Sequence, residues 1–307
     1  MANNFSIVIP TRNAGDRWIK LIKSIFSQSI KARHLLVIDS NSSDSTPLIA
    51  AEWGCDLMST DPSNFNHGRV RNDALSLTGD SDFIVYLTQD AILESNSALE
   101  SLLDSFKDES VGMAYGRQLP HLHSGPIGAH ARIFNYPDQS LIKKISDSKK
   151  LGIKTAFVSN SFAAYRRTAL EAAGGFPTHT ILSEDTYVAA QMLLLGWKVA
   201  YKADARVFHS HDYSYAEEFR RYFDTGVFHC RESWIIDQFG KSEAEGMRFI
   251  RSELNYLFEN APFLIPSAIA RTFLKYSAFK LGQHEKILPN NLKRMLSMHK
   301  NYWANSL

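Results

Sequence analysis

Cysteine is scarce in this chain. Its 307 residues include only two, Cys55 and Cys230, far apart in the sequence. Neither a zinc site nor a disulfide framework can be built from such a pair, and a reducing, cytoplasmic setting is the default expectation. Long apolar runs are missing too. No stretch of about 18 apolar residues occurs, so no membrane-spanning helix is expected. The N-terminus has no basic leader, and the run Phe5–Pro10 is too short for a signal sequence. Net charge is nearly absent, with 34 Lys and Arg against 32 Asp and Glu. A general nucleic-acid binder carries a clear basic excess, so nucleic acid is not an expected partner. There is no internal repeat and no low-complexity linker. Neither Gly-x4-Gly-Lys-Ser/Thr nor Gly-x-Gly-x-x-Gly follows the first apolar run, which counts against a nucleotide triphosphatase and a nicotinamide dehydrogenase.

What remains is the composition of a folded globular protein, 44% hydrophobic and 21% charged. The length suits one large α/β domain with an appendage, or two smaller domains. The neutral total hides an asymmetry. Residues 261–307 hold seven Lys and Arg against Glu285 alone, so the tail carries +6 and residues 1–260 carry −4.

The first hundred residues alternate apolar runs with helical spacing. Ser6–Ile9 and Leu35–Ile38 read as strands, Asp56–Ser59 as a weak one and Phe83–Leu87 as a strong one. Between them Trp18, Leu21, Ile22 and Ile25 recur with helical spacing. Thr46 is placed to cap a helix that has Pro47 at its first position. This order predicts a mostly parallel sheet covered by helices on both faces, with a ligand site beyond the strand ends, at the loops after residues 9, 38 and 87. Residues 118–150, rich in Gly, Pro and His, read as a long irregular segment. Order returns with a strand at Phe162–Tyr165, a helix over 184–195 and two apolar runs at Lys198–Tyr201 and Ala205–Phe208. From Tyr215 onward the pattern is helical, which sets the expected division at 1–212 and 213–307. A helical wheel puts Tyr215, Phe219, Phe223 and Gly226 on one face and Glu217, Arg221 and Asp224 on the other.

Acidic residues fall where such a sheet binds ligands. Asp39 closes the second strand, Asp90 follows the fourth, and Glu184-Asp185 opens a helix after a turn. A carboxylate there serves as a contact to nucleobase or ribose, a metal ligand, a proton acceptor, or simply a turn or cap residue. Arg69 and Arg71 sit at the start of a helix whose N-terminus favours anions, or else on a solvated helix face. His209 and His211 follow the last strand. Two histidines at i, i+2 cannot both face inward from an extended strand unless the backbone turns. Asp with His and open positions suits Mn2+ or Mg2+.

Taken together, seven segments carry a resemblance: Ile7–Asn13 (IVIPTRN), Val37–Thr46 (VIDSNSSDST), Phe65–Asn72 (FNHGRVRN), Tyr86–Ala91 (YLTQDA), Ala173–Phe176 (AGGF), Glu184-Asp185 and Val207–His211 (VFHSH). Their order and spacing over residues 5–230 resemble the inverting glycosyltransferases of family 2, of GT-A fold, and within them bacterial rhamnosyltransferases of O-antigen and surface-polysaccharide assembly. The resemblance implies a nucleotide-sugar donor, dTDP-L-rhamnose first and another UDP or GDP sugar second. It implies a saccharide or polyprenyl-diphosphate-linked acceptor and a divalent cation, Mn2+ or Mg2+. The donor-binding set it implies is Pro10, Thr11, Arg12, Asp39, Asn41, His67, Arg71, Asn72, Gln89 and Asp90. Thr11 and Asp39 match residues that hold base and ribose, and Arg71 with Asn72 match those near base and diphosphate. Thr88 stands where the family has the first acid of Asp-x-Asp, leaving Asp90 as the metal carboxylate; His209 matches a histidine that completes the metal site, and of His209 and His211 either one is the ligand while the other faces solvent or the acceptor. Asp185 matches the catalytic base, with Glu184 its partner, and Gln191 stands where many relatives carry an arginine. A catalytically inactive sugar-nucleotide or glycan-binding module is the alternative from another class.

The tail suggests a location. Pro262–Tyr276 mixes large apolar residues with the basic excess, and Tyr302 and Trp303 lie beside Lys300. Such a segment lies on an anionic membrane surface, at the inner face of the cell membrane, or serves as a dimer contact or docked helix.

Overall fold

The computed structural model describes residues 4–62, 65–241 and 243–304. Its strands are β1 Phe5–Thr11, β2 His34–Asp39, β3 Asp56–Ser59, β4 Phe83–Leu87, β5 Ile92–Leu93, β6 Val111–Leu119, β7 Leu141–Lys143, β8 Phe162–Arg166 and β9 Lys198–Phe208. The helices of the sheet region are α1 Asp16–Phe26, α2 Thr46–Glu52, α3 His67–Leu77, α4 Ala98–Leu103, α5 Pro126–Asn135, α6 Ser148–Leu151, α7 Arg167–Ala172 and α8 Glu184–Leu194. Those of the tail are α9 Tyr215–Arg231, α10 Ser233–Phe239, α11 Glu243–Asn260, α12 Ile265–Gln283 and α13 Asn290–Leu296.

All nine described strands join one sheet in the order β3-β2-β1-β4-β8-β6-β9-β5, with β7 also on β9. The β1–β4 half is parallel, as the alternation predicts. The other half is mixed, because β8 runs antiparallel to both β4 and β6, and β5 and β7 run antiparallel to β9.

Side chains alternate between the faces, and this explains the unbroken apolar runs. In β1, Ile7 and Ile9 meet Trp18, Leu21 and Ile22 of α1, while Val8 points to the opposite cluster with Val70 and Ala74 of α3. In β4, Val85 and Leu87 follow the first face, Ile84 and Tyr86 the second. That second cluster also takes in Phe223, Val227, Phe228, Ala278 and Trp303, so the helical tail shares its core. Within the tail, α9 and α12 cross at glycines. A Cβ on Gly226 would stand 2.1 Å from the Phe279 carbonyl oxygen, and one on Gly282 2.0 Å from that of Phe223.

Several local expectations change. The 118–150 segment is not irregular throughout. Pro126 starts the ten-residue α5, and Gly125 and Gly128 leave room for Asp212, whose carboxylate accepts the Gly125 N–H at 3.0 Å. The runs at 198–201 and 205–208 form one strand, since Ala203 and Ala205 continue the inward alternation with less apolar bulk. Thr46 does not cap its helix, because its hydroxyl accepts the Ala14 N–H at 2.9 Å. Asp224, placed on the polar face of α9, is fully buried, because the C-terminal segment closes over it. Trp303, read as a candidate membrane aromatic, is 2% exposed and packs toward Phe223.

Candidate functional site

The first part of the site is a notch between the ends of β1 and β2. Thr11 Oγ1 donates to Asp39 Oδ1 at 3.0 Å, while Ser42 donates to Asp39 through its N–H (2.8 Å) and its hydroxyl (2.5 Å). Asn13 Oδ1 accepts the Ser43 N–H, and Asp44 accepts the Gly15 N–H. These ties lace the two loops together. Asn13 and Asn41 both sit at positive φ, 47° and 54°, a left-handed geometry that asparagine tolerates better than most residues. Pro10 lies half-buried where β1 ends, and the Arg12 side chain is exposed at the rim. Gln89 joins this notch to the rest of the site, accepting the Arg12 N–H at 2.7 Å and donating to the Arg12 carbonyl at 3.2 Å.

Past Gln89 the sheet edge opens into a cavity of about 1170 Å³. On one side β9 ends at Phe208 and the chain turns, so His209 and His211 both face Asp90. His209 Nε2 lies 3.4 Å from Asp90 Oδ1, His211 Nε2 3.8 Å from Oδ2, and the two Nε2 atoms 3.1 Å apart. Donors at right angles on a cation with bonds of about 2.1 Å stand about 3 Å apart, so this trio has the spacing of a metal site. The donor types agree, and so does the residue behind them. His209 Nδ1 meets Gln118 Oε1 at 2.9 Å, an acceptor that requires the proton on Nδ1 and leaves the Nε2 lone pair free. Arg132 and Ser159 hold that Gln118 in turn. Burial pushes the Asp90 carboxyl up, but His209 and His211 outweigh it and hold Asp90 below the usual carboxylate range. Burial, reinforced by His209, lowers His211 to about 4.

On the opposite wall the paired acids have separate environments. Glu184 is buried, and its Oε1 meets Arg71 Nη1 at 3.1 Å and Asn160 Nδ2 at 3.1 Å. Burial raises its carboxyl, but the charge of Arg71 overrides that and keeps Glu184 below its ordinary value. Asp185 has no such cation. Among the described residues it accepts only the backbone N–H groups of Asn160 (3.0 Å) and Thr186 (2.7 Å), and burial beside the negative Glu184 raises it to about 6. Ser183, just before them, holds φ 58°, a strained geometry that aims the start of α8 at the cavity.

The cavity thus brings together His67, Arg71, Gln89, Asp90, Glu184, Asp185, His209 and His211, whereas Pro10, Thr11, Arg12, Asp39 and Asn41 stay in the neighbouring notch. Arg71 is 4% exposed and gives its Nη1 to Glu184 and to the His67 carbonyl. Asn72 is outside the cavity wall, where it clamps the glycine turn by donating to the Phe176 carbonyl and accepting the Phe176 N–H. Gly175 in that turn has φ +73°, and a Cβ there would stand 2.7 Å from Asn72 Oδ1. Sequence reasoning missed Gln118, Asn160 and the tail residues Arg221 and His299, all on the cavity wall or directly behind it.

The comparisons with known proteins agree with this arrangement. The family model "Glycosyl transferase family 2" matches residues 6–174. The chain is 50% identical over 303 residues to the O-antigen chain rhamnosyltransferase WbaN of Salmonella anatum, covering 98% of this chain and 96% of that protein. It is 48% identical to the O-antigen chain rhamnosyltransferase RfbN of Salmonella typhimurium, covering 98% and 96%. Among solved structures, mannosyltransferase PcManGT from Pyrobaculum calidifontis, in complex with GDP-Man and Mn2+, aligns with a TM-score of 0.56 at 18% identity, covering 98% of this chain and 85% of that one. S. aureus TarS 1-349 aligns at 0.54 and 14%, covering 98% and 89%. These two share the fold. With the family model spanning β1 to the glycine turn and half of the residues shared along almost the whole length, the chain belongs to glycosyl transferase family 2.

Proposed function

We propose that the protein transfers L-rhamnose from dTDP-L-rhamnose to a saccharide acceptor, lipid-linked or free, by a single inverting displacement. The observation that carries the chemistry is the split of the paired acids: Glu184 is paired with Arg71 at 3.1 Å, while Asp185 faces the cavity and accepts two backbone N–H groups. The donor assignment draws on the near-full-length identity to proteins named as O-antigen chain rhamnosyltransferases.

In this reading the Thr11–Asp39 notch, with Pro10, Arg12 and Asn41 at its rim, receives the nucleoside. Gln89 and Asp90 lie toward the diphosphate. Asp185 takes the proton of the acceptor hydroxyl as its oxygen bonds to the anomeric carbon. The bond from that carbon to the diphosphate breaks, and the leaving group keeps the electron pair. A pKa near 6 leaves Asp185 ionised at neutral pH yet basic enough to accept a proton, the compromise general-base catalysis needs. Arg71 keeps Glu184 charged, and that charge keeps Asp185 basic. Asp90, His209 and His211 would hold a divalent cation, Mn2+ or Mg2+, which when bound supplies positive charge to the departing diphosphate.

We propose further that residues 1–212, the glycosyltransferase domain, supply the reacting side chains, and that the 213–307 region, which also closes part of the cavity wall, holds the protein at the cytoplasmic face of an anionic membrane. No described helix is long and apolar enough to cross one. What supports a surface location is Phe258, Phe263, Phe273 and Tyr276, between 62% and 79% exposed on α11, α12 and the turn between them, at the start of or just before the 261–307 stretch that carries a net +6. Replacing these four by serine is expected to abolish co-sedimentation with anionic vesicles, and undiminished sedimentation would refute the location.

The function is tested by incubating purified protein with dTDP-, UDP- and GDP-sugars and measuring nucleotide diphosphate release, with and without Mn2+. Release from dTDP-L-rhamnose above the other donors supports the reading. Preference for a UDP or GDP sugar replaces the donor, and no release from any supports a binding module.

A further inference from the structure

After α13 the chain returns to the sheet. Met298 and His299 run along the cavity wall before a single turn of 3-10 helix at Lys300–Trp303. Three anchors fix this return. Asp224 of α9 accepts the N–H groups of Met298 (2.9 Å) and His299 (3.2 Å) on one carboxylate oxygen. Asn301 Nδ2 donates to the Pro62 carbonyl at 3.1 Å, ahead of α3. Trp303 is buried, with Arg231 and Lys293 over its ring at 5.3 and 5.1 Å.

Held this way, the His299 ring stands edge-on to His67 at 5.3 Å, and both line the cavity beside Arg71, Glu184 and Asp185. Burial, with the nearby His67 and Arg221, lowers His299 to about 3, and burial lowers His67 as well. Both rings are therefore neutral at physiological pH, each with one N–H donor and one acceptor nitrogen. Among the described residues, no hydrogen bond is made by the ring nitrogens of either. Both residues are half-buried and their ring nitrogens stay open to the cavity, so two adjacent rings, each with a free donor and a free acceptor, point to a ligand rich in hydroxyl groups.

We propose that the C-terminal segment completes the sugar chamber and that His299, paired with His67, binds hydroxyl groups of the donor's glycosyl unit, with Asp224 as the positioning residue. This rests on the glycosyl-transfer reading, but not on which sugar is transferred. The nucleoside notch at Thr11 and Asp39 is a separate part of the site, so His299 should distinguish a sugar nucleotide from its bare nucleotide.

The test is calorimetric titration of the full-length protein with dTDP-L-rhamnose and with dTDP, for wild type, His299→Phe and His299→Asn. Phenylalanine keeps the ring packing and removes both hydrogen-bonding nitrogens. It is expected to leave dTDP affinity and melting temperature within experimental spread and to weaken dTDP-L-rhamnose binding about 3- to 10-fold, the loss expected for a single hydrogen bond. Asparagine is expected to recover part of that loss, and Asp224→Asn to raise the donor KM with little change in kcat. If wild type prefers a UDP or GDP sugar, the rhamnosyl reading fails, and the same variants are titrated with that sugar and its nucleotide. Equal losses for nucleotide and sugar nucleotide, no loss for either, or a wild type that binds no sugar nucleotide more tightly than its nucleotide would each overturn the His299 assignment. If the phenylalanine variant does not fold, the asparagine variant decides by the same comparison.

Discussion

Asp39 lies in the β1–β2 notch and Asp185 on the wall of the cavity beside it, and their surroundings differ in kind. Asp39 is 4% exposed and accepts two hydroxyl donors and one N–H, all within the β1–β2 notch. No other carboxylate is paired with it among the described residues. Asp185 accepts two backbone N–H groups, faces open space, and has the ionised Glu184 as its sequence neighbour. The first arrangement stiffens a scaffold, and the second leaves a carboxylate able to take a proton. Burial alone does not make an acid reactive. What matters is which buried acid is given a cation, and here Arg71 goes to Glu184.

Substitutions can break this contrast, and the largest effect belongs to the cavity. Asp185→Asn is expected to lower kcat by about 10²- to 10⁴-fold, the usual worth of a general base, while nucleotide affinity measured by titration stays within twofold. Glu184→Gln is milder in kind, since it removes the charge that raises Asp185, and the acid limb of the pH profile should move to lower pH. Next comes Gln118→Leu, which frees the His209 tautomer without touching a ligand atom. Loss of a hydrogen-bond partner that orients a ligating histidine costs about 10- to 100-fold in metal affinity, to be read from the Mn2+ concentration that restores activity after chelation. Unaltered activity in chelator would remove Asp90, His209 and His211 from any metal role. The smallest effect is expected in the notch. Ser42→Ala removes one hydroxyl donor from Asp39 and should cost about 0.5–1.5 kcal/mol, seen as a lower melting temperature with kcat little changed.

The two regions also differ in how well the sequence reveals them. β1 and β4 are buried on both faces, so their apolar runs are continuous, and the parallel crossover rule places Asp39 and Asp90 at the ligand edge. Glu184-Asp185 and the two histidines are visible because their motif order resembles a known family. Gln118 is not, because a single polar residue near the end of an apolar strand has no period, and its partner His209 is 91 residues away. α5 is hidden by Gly125 and Gly128, which serve the approach of Asp212 and weaken the helical signal. His299 is reached only once the tail has folded back, and Asp224, which holds it, sits where a helical wheel predicts solvent. Contacts made by a returning segment leave no local pattern.

The central claim is that Asp185, and not Glu184, accepts the proton. The most direct test is the pH dependence of kcat/KM between pH 4.5 and 8. The raised Asp185 pKa means the base is lost by protonation as pH falls, so kcat/KM should be level above pH 7 and fall about tenfold per unit below an apparent pKa near 6. A profile that stays flat down to pH 5 would contradict the assignment, because a free Asp185 held near 6 could not then be the base.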